Sequence, residues 1–152
     1  MLPKTHIILG FFYSLLIYAL YPKITLTGAF IVFLASFLID VDHYLIYVYK
    51  KKSCNLNKAF KWFKSQQENW GRLPEKERKN YKEQILLFHG VEFVLLLTFL
   101  SIFSELFKYI LIGILFHLAL DFVDLKIKKR PFRQKSSQLY IAILNKNKKL
   151  KS

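Results

Sequence analysis

The chain of 152 residues is one domain's length, and its 53% hydrophobic and 17% aromatic content excludes an ordinary soluble globular domain. The single cysteine, Cys54, excludes an internal disulfide and a cysteine-based metal site. The formal net charge of +14 is concentrated in a few segments, and such basic surfaces favour anionic partners.

Four apolar segments are each near the ~20 residues that a helix needs to cross a bilayer. They cover residues 6–21, 24–49, 85–104 and 107–125. The first follows a basic start, as in a signal peptide, but no cleavage site of small residues ends it, so we expect a retained helix. The predicted fold class is therefore all-α: a polytopic membrane four-helix bundle, with residues 1–152 forming a single membrane domain.

Two polar segments accompany these spans, a central loop over residues 50–84 and a basic tail over residues 126–152. The loop contains an aromatic and basic run, residues 57–70, which predicts an amphipathic helix on the membrane surface. After Pro74 a second helix is expected, and it could continue directly into the third span. In the tail we expect a short interfacial helix around residues 136–145.

The distribution of basic residues predicts the orientation in the membrane. With four spans, both termini and the 50–84 loop share one side, and that side carries 22 of the 24 lysines and arginines. By the positive-inside rule this side is cytoplasmic, which predicts a multi-pass protein of the cell membrane with both termini in the cytoplasm. The basic clusters indicate contact with the bilayer and its anionic lipid headgroups. Nucleic acid is the weaker alternative, because no recognised nucleic-acid-binding module accompanies them.

All histidines and aspartates lie in the predicted spans or at their ends, where ionisable groups usually pair, bind ions or line a pathway. They are His6, His43, His89, His117, Asp40, Asp42, Asp121 and Asp124. Because successive helices run in opposite directions, each group of them falls in the cytoplasmic half of the bilayer. This shared depth predicts one common site.

Helical spacing places a histidine and a carboxylate on one face of three spans, at separations of three or four residues. The pairs are Asp40 with His43, His89 with Glu92, and His117 with Asp121. On a continuous helix Asp42 points about 160° away from Asp40, so it could support another ligand, bind a further ion or face the headgroups. Helical bundles that present histidines and carboxylates inward at one level hold metal ions, and we predict a metal centre.

Imidazole and carboxylate ligands without thiolates suit Zn²⁺, with Mn²⁺ and Fe²⁺ as alternatives. The candidate ligands outnumber those of one tetrahedral ion, so one or two ions are expected. The expected chemistry is activation of water for attack on an ester or phosphoester. Two other interpretations stay open: a metal-ion or proton transporter, and a non-catalytic structural membrane protein whose buried polar groups hold the helices together.

The motifs resemble those of a known family. A histidine before the first span, "DVDH" in the second, "FHGVEF" at the start of the third and "HLALD" in the fourth resemble the YdjM-type family of inner-membrane metal-dependent hydrolases. The resemblance covers the four spans and implies a distant relation to zinc-dependent phospholipase C and single-strand nucleases. It implies a metal site made of His6, Asp40, Asp42, His43, His89, His117 and Asp121.

The chain departs from the family at the third motif, where many members have an HRG run followed by THS. Here His89 is followed by Gly90 and then Glu92, so Glu92 is expected to be a replacement ligand or the general base. The predicted function is a membrane-embedded, metal-dependent hydrolase at the cytoplasmic side, acting on a phosphoester or ester. A lipid or lipid-linked substrate is favoured because a membrane-embedded site has direct access to lipids. The expected ligands are Asp40, His43, His89, His117 and Asp121, with His6 completing the shell.

Overall fold

A computed structural model describes residues 3–146 and 148 of the chain. All regular secondary structure in this part is helical, which confirms the predicted all-α class. The helices are α1 (Pro3–Leu20), α2 (Leu26–Leu38), α3 (Val41–Lys51), α4 (Leu56–Arg72), α5 (Glu75–Asn80), α6 (Val91–Leu100), α7 (Glu105–Ile127) and α8 (Gln138–Lys146). A 3-10 turn, Phe132–Lys135, lies between α7 and α8. Residues 1–2, and residues 147 and 149–152 of the predicted tail, lie outside the described residues.

The apolar helices α1, α2, α6 and α7 pack into a bundle in which α7 contacts the other three. Gly113 permits the close approach of α7 to α2, because a Cβ atom there would lie 2.5 Å from the carbonyl oxygen of Val32. The buried core has two parts, which are Ile39, Leu97, Ile114 and Leu118, and Ile24, Ala29 and Val32. Large apolar side chains such as Phe12, Leu95 and Leu115 remain exposed on the outside of the bundle.

Two helical segments are long and apolar enough to cross a bilayer: Leu26–Lys51, which comprises α2 and α3, and Glu105–Ile127. The apolar part of α1 and the whole of α6 are shorter. The predicted third span, residues 85–104, differs most from the structure, because residues 85–90 are not helical and α6 has 10 residues. A helix of that length rises about 15 Å, which is half of the hydrocarbon thickness.

The predicted second span, residues 24–49, is interrupted at Ile39 and Asp40, between α2 and α3. Neither residue is a glycine or a proline, so the break has no signal in the local sequence. Ile39 and Asp40 keep right-handed helical dihedral angles, and the backbone hydrogen bonds there run to the residue three positions back, so the chain tightens rather than turns away. Asp40 and Asp42 contact opposite ring nitrogens of the same histidine, His89.

The polar segments form helices close to the expected positions. The predicted amphipathic loop helix is α4, which begins after Asn55, whose side chain accepts a hydrogen bond from the backbone N–H of Lys58 at 3.0 Å. The helix expected after Pro74 is α5, but it ends at Asn80 and does not continue into the third span. The tail helix is α8.

Candidate metal centre

The structure places the seven histidines and aspartates that the sequence singled out at one end of the bundle. His6 lies near the start of α1, His89 lies just before α6, and His117 and Asp121 lie in the second half of α7. The α2–α3 break supplies the remaining three, Asp40, Asp42 and His43. We call these seven residues the His/Asp cluster; within it His6, Asp42, His89, His117 and Asp121 are buried.

Four possible ligand atoms of the cluster lie close together. The Nε2 atoms of His89 and His117 are 3.2 Å apart. Asp40 Oδ1 lies 3.4 Å from the first of these nitrogens and 3.6 Å from the second. Asp121 Oδ2 lies 3.6 Å and 3.1 Å from the same two nitrogens. Four ligands at about 2.0–2.1 Å from a tetrahedral zinc ion are separated by about 3.3–3.4 Å, which is close to the separations between the two nitrogens and between each nitrogen and each oxygen.

The other ring nitrogen of each central histidine is held by an acceptor. His117 Nδ1 lies 2.8 Å from the carbonyl oxygen of Ser36, which can only accept, so Nδ1 carries the hydrogen. His89 Nδ1 lies 2.9 Å from Asp42 Oδ2, and the same oxygen accepts the backbone N–H of Phe88 at 3.2 Å. In their neutral forms both imidazoles then direct the Nε2 lone pair to the same region, as two ligands of one cation would.

His6 and His43 lie at the margins of this arrangement. His6 stacks on His117 with ring centroids 4.0 Å apart, and its Nε2 lies 3.5 Å from Asp121 Oδ1. Although His6 is fully buried, neither of its ring nitrogens makes a hydrogen bond to the described residues. His43 Nε2 lies 3.7 Å from Asp40 Oδ1. Three groups of residues could each hold an ion: His6, Asp40 and His117; Asp40, His43 and His89; and His89, His117 and Asp121.

A further residue, Lys135, enters the cluster from the 3-10 turn. Its Nζ donates a hydrogen bond to Asp121 Oδ2 at 2.7 Å and lies 3.5 Å from His43 Nε2. No feature of the sequence distinguishes Lys135 from the other basic residues of the tail, which has ten in all. The fold of the chain after α7 brings it to the site.

Glu92 does not join the cluster, and this changes the interpretation of the third motif. Its carboxylate accepts hydrogen bonds from the Ser137 hydroxyl and from the backbone N–H groups of Gln138 and Leu139, at 2.5, 3.1 and 3.1 Å. These groups begin α8, so Glu92 caps that helix. The predicted role as ligand or general base assumed that His89 and Glu92 share a helix face, but α6 begins at Val91 and His89 precedes it.

Comparisons of the chain with protein-family models, with curated proteins and with solved structures found no match. The site therefore has to be interpreted from its own geometry. On that basis the buried histidines and aspartates could bind a metal ion.

Proposed function

We propose that the protein is a membrane-embedded, metal-dependent hydrolase that cleaves a phosphoester or ester at the cytoplasmic side of the bilayer. The observation that carries the proposal is that the two Nε2 atoms of His89 and His117 lie 3.2 Å apart with carboxylate oxygens of Asp40 and Asp121 within 3.1–3.6 Å of both, near the ligand separations of a tetrahedral ion. The order of the motifs along the chain, which resembles that of the YdjM-type hydrolases, supports the same function.

The outer surface of the bundle supports the membrane location. Phe12, Leu95 and Leu115 are among many large apolar side chains that face outwards, which a bilayer would cover. Of the bundle helices, α2 with α3 and α7 reach spanning length. We propose that α1 and α6 complete a four-span domain, with the basic loop and tail in the cytoplasm.

Six of the seven side chains of the cluster have a proposed part in the reaction. Asp40, His89, His117 and Asp121 hold the ion, while Asp42 and the Ser36 carbonyl fix the orientation of the two histidines. The donor set suits Zn²⁺, with Mn²⁺ and Fe²⁺ as alternatives, and such an ion supplies an activated water and polarises the substrate.

His43 is the proposed proton acceptor in place of Glu92. Its side chain is 27% exposed, and it lies beside Asp40 at the margin of the cluster, where a substrate can reach it.

A lipid or lipid-linked substrate is supported by an apolar groove beside the cluster. Leu45, Ile46 and Tyr49 of α3 form one side, Ile85 and Leu87 the other, and Asp42 lines the same groove. Because Asp42 contacts His89 Nδ1, an acyl chain in this groove would lie beside His89 at the edge of the cluster.

The first test is the metal content of detergent-purified protein by elemental analysis, for the wild type and a His89→Ala, His117→Ala double variant. We expect the wild type to retain Zn²⁺, Mn²⁺ or Fe²⁺ after dialysis and the variant to lose it. Circular dichroism of both proteins controls for folding. The loaded wild type is then assayed for hydrolysis of chromogenic phosphodiesters, carboxylic esters and phospholipid vesicles.

Three other outcomes would contradict the proposal. No bound ion after reconstitution with all three metals would leave the cluster as a structural contact between helices. A bound ion without hydrolysis of any substrate class, but with ion uptake by proteoliposomes, would favour a transporter. Equal metal content in the wild type and the folded variant would place the ion elsewhere.

A further inference from the structure

Lys135 is a cation of the chain that lies at the margin of the His/Asp cluster. Its side chain is 13% exposed, so the ammonium lies largely out of water, between the Asp121 carboxylate and the His43 ring. A lysine charge in such a place is held by the opposite charges around it.

The ammonium contacts two atoms that a second ion could use as ligands. His43 Nε2 lies 3.7 Å from Asp40 Oδ1, and His43 belongs to the group Asp40, His43 and His89, whereas His6 belongs to the group His6, Asp40 and His117. A second ion held by His43 and bridged by Asp121 would use His43 Nε2 and Asp121 Oδ2. These are the two atoms that Lys135 Nζ contacts, at 3.5 and 2.7 Å.

Charge balance favours the same arrangement. The cluster contains three carboxylates, those of Asp40, Asp42 and Asp121. One divalent ion together with the Lys135 ammonium neutralises them, with the histidines uncharged as ligands. A second divalent ion beside the ammonium would leave two excess positive charges in a site that is mostly removed from water, where repulsion between close charges is weakly screened.

We infer that the Lys135 ammonium is the second cation of this centre and that the protein therefore binds one divalent ion per chain. This inference rests on the metal centre of the proposed function. It assigns to a tail lysine the position that a second metal ion takes in a two-metal site.

The test is the number of Zn²⁺ or Mn²⁺ ions bound per full-length chain, measured by isothermal titration and by elemental analysis after dialysis. The variants are Lys135→Ala and Lys135→Gln, with Lys128→Ala as the matched control. Lys128 also pairs with an aspartate of α7, Asp124, at 2.7 Å, but this pair lies outside the cluster. We expect one ion in the wild type and the control, and two in the Lys135 variants.

Two ions in the wild type would overturn the inference while leaving the metal centre intact, and this result does not depend on how the variants fold. One ion in both folded Lys135 variants would overturn it as well. No ion in any protein would instead overturn the metal centre and, with it, the proposed function.

Discussion

The two central histidines, His89 and His117, are each oriented by a hydrogen bond at Nδ1, whereas their Nε2 atoms face each other. The Ser36 carbonyl holds one ring and the Asp42 carboxylate holds the other, at 2.8 and 2.9 Å. Side chains fixed in this way lose little rotamer entropy when an ion binds. The strength of such a site therefore depends on residues that do not touch the ion.

Asp42 is the residue at which this dependence can be measured. Replacing Asp42 with asparagine removes the negative charge behind His89, and the loss of such a partner typically weakens metal binding by about 10–100-fold. We expect the Asp42→Asn variant to show a loss in this range when it competes with a chromogenic chelator for Zn²⁺. The matched control is Asp124→Asn, because Asp124 pairs with Lys128 at the surface. Unchanged affinity in Asp42→Asn, or an equal loss in the control, would contradict the role given to Asp42.

At the scale of the helices, the sequence predicted which residues would lie together, but not how their side chains would be arranged. The hydropathy of the sequence defines the spans, and successive spans run in opposite directions. Together these two features predicted that the histidines and aspartates would lie near the same end of the helices. The contacts of Asp40 and Asp42 with opposite nitrogens of His89 depend on where His89 lies relative to α3, and His89 belongs to a non-helical segment that the helical pattern did not predict. The capping role of Glu92 and the approach of Lys135 depend on how the tail folds back, and a single sequence does not reveal such long-range contacts.

The packing of α7 against α2 determines the position of His117 in the His/Asp cluster. A Cβ atom on Gly113 would lie 2.5 Å from the Val32 carbonyl oxygen and 3.1 Å from the Ser36 nitrogen. The carbonyl of the same Ser36 orients His117, one turn further along α7. Any displacement of α7 from α2 therefore changes the geometry of the His/Asp cluster.

The Gly113→Ala variant tests this connection. We expect overpacking against rigid backbone to destabilise the bundle by about 1–3 kcal/mol and to weaken Zn²⁺ binding as His117 moves. Thermal unfolding in detergent and chelator competition measure the two effects. Gly71→Ala is the matched control, because Gly71 in α4 has nothing within 4 Å of its added Cβ and should change stability by less than about 1 kcal/mol. A Gly113→Ala protein as stable as this control would show that α7 can shift without cost.

In the whole molecule, the basic loop and the basic tail lie at the same end as the His/Asp cluster. The loop that follows α3 and the tail that follows α7 leave the bundle at the end that holds the His/Asp cluster. Helix α4 of that loop covers the cluster, with the Phe63 ring 5.1 Å from the His43 ring. Because α4 is amphipathic, it can bind to anionic headgroups at the membrane surface. The proposed lipid substrates would then reach the His/Asp cluster between α4 and the bundle.

The single native cysteine makes the proposed topology directly testable. Cys54 is exposed between α3 and α4, on the side proposed to be cytoplasmic. A membrane-impermeant maleimide should therefore label it in inside-out vesicles and leave it unlabelled in intact cells. For the opposite side, the matched variant is Ile102→Cys in a Cys54→Ser background, since Ile102 is 73% exposed in the connection between α6 and α7. This variant should be labelled in intact cells. Labelling of both cysteines from the same side would show that α6 does not carry the chain across the bilayer, and labelling of Cys54 in intact cells would reverse the orientation inferred from the basic residues.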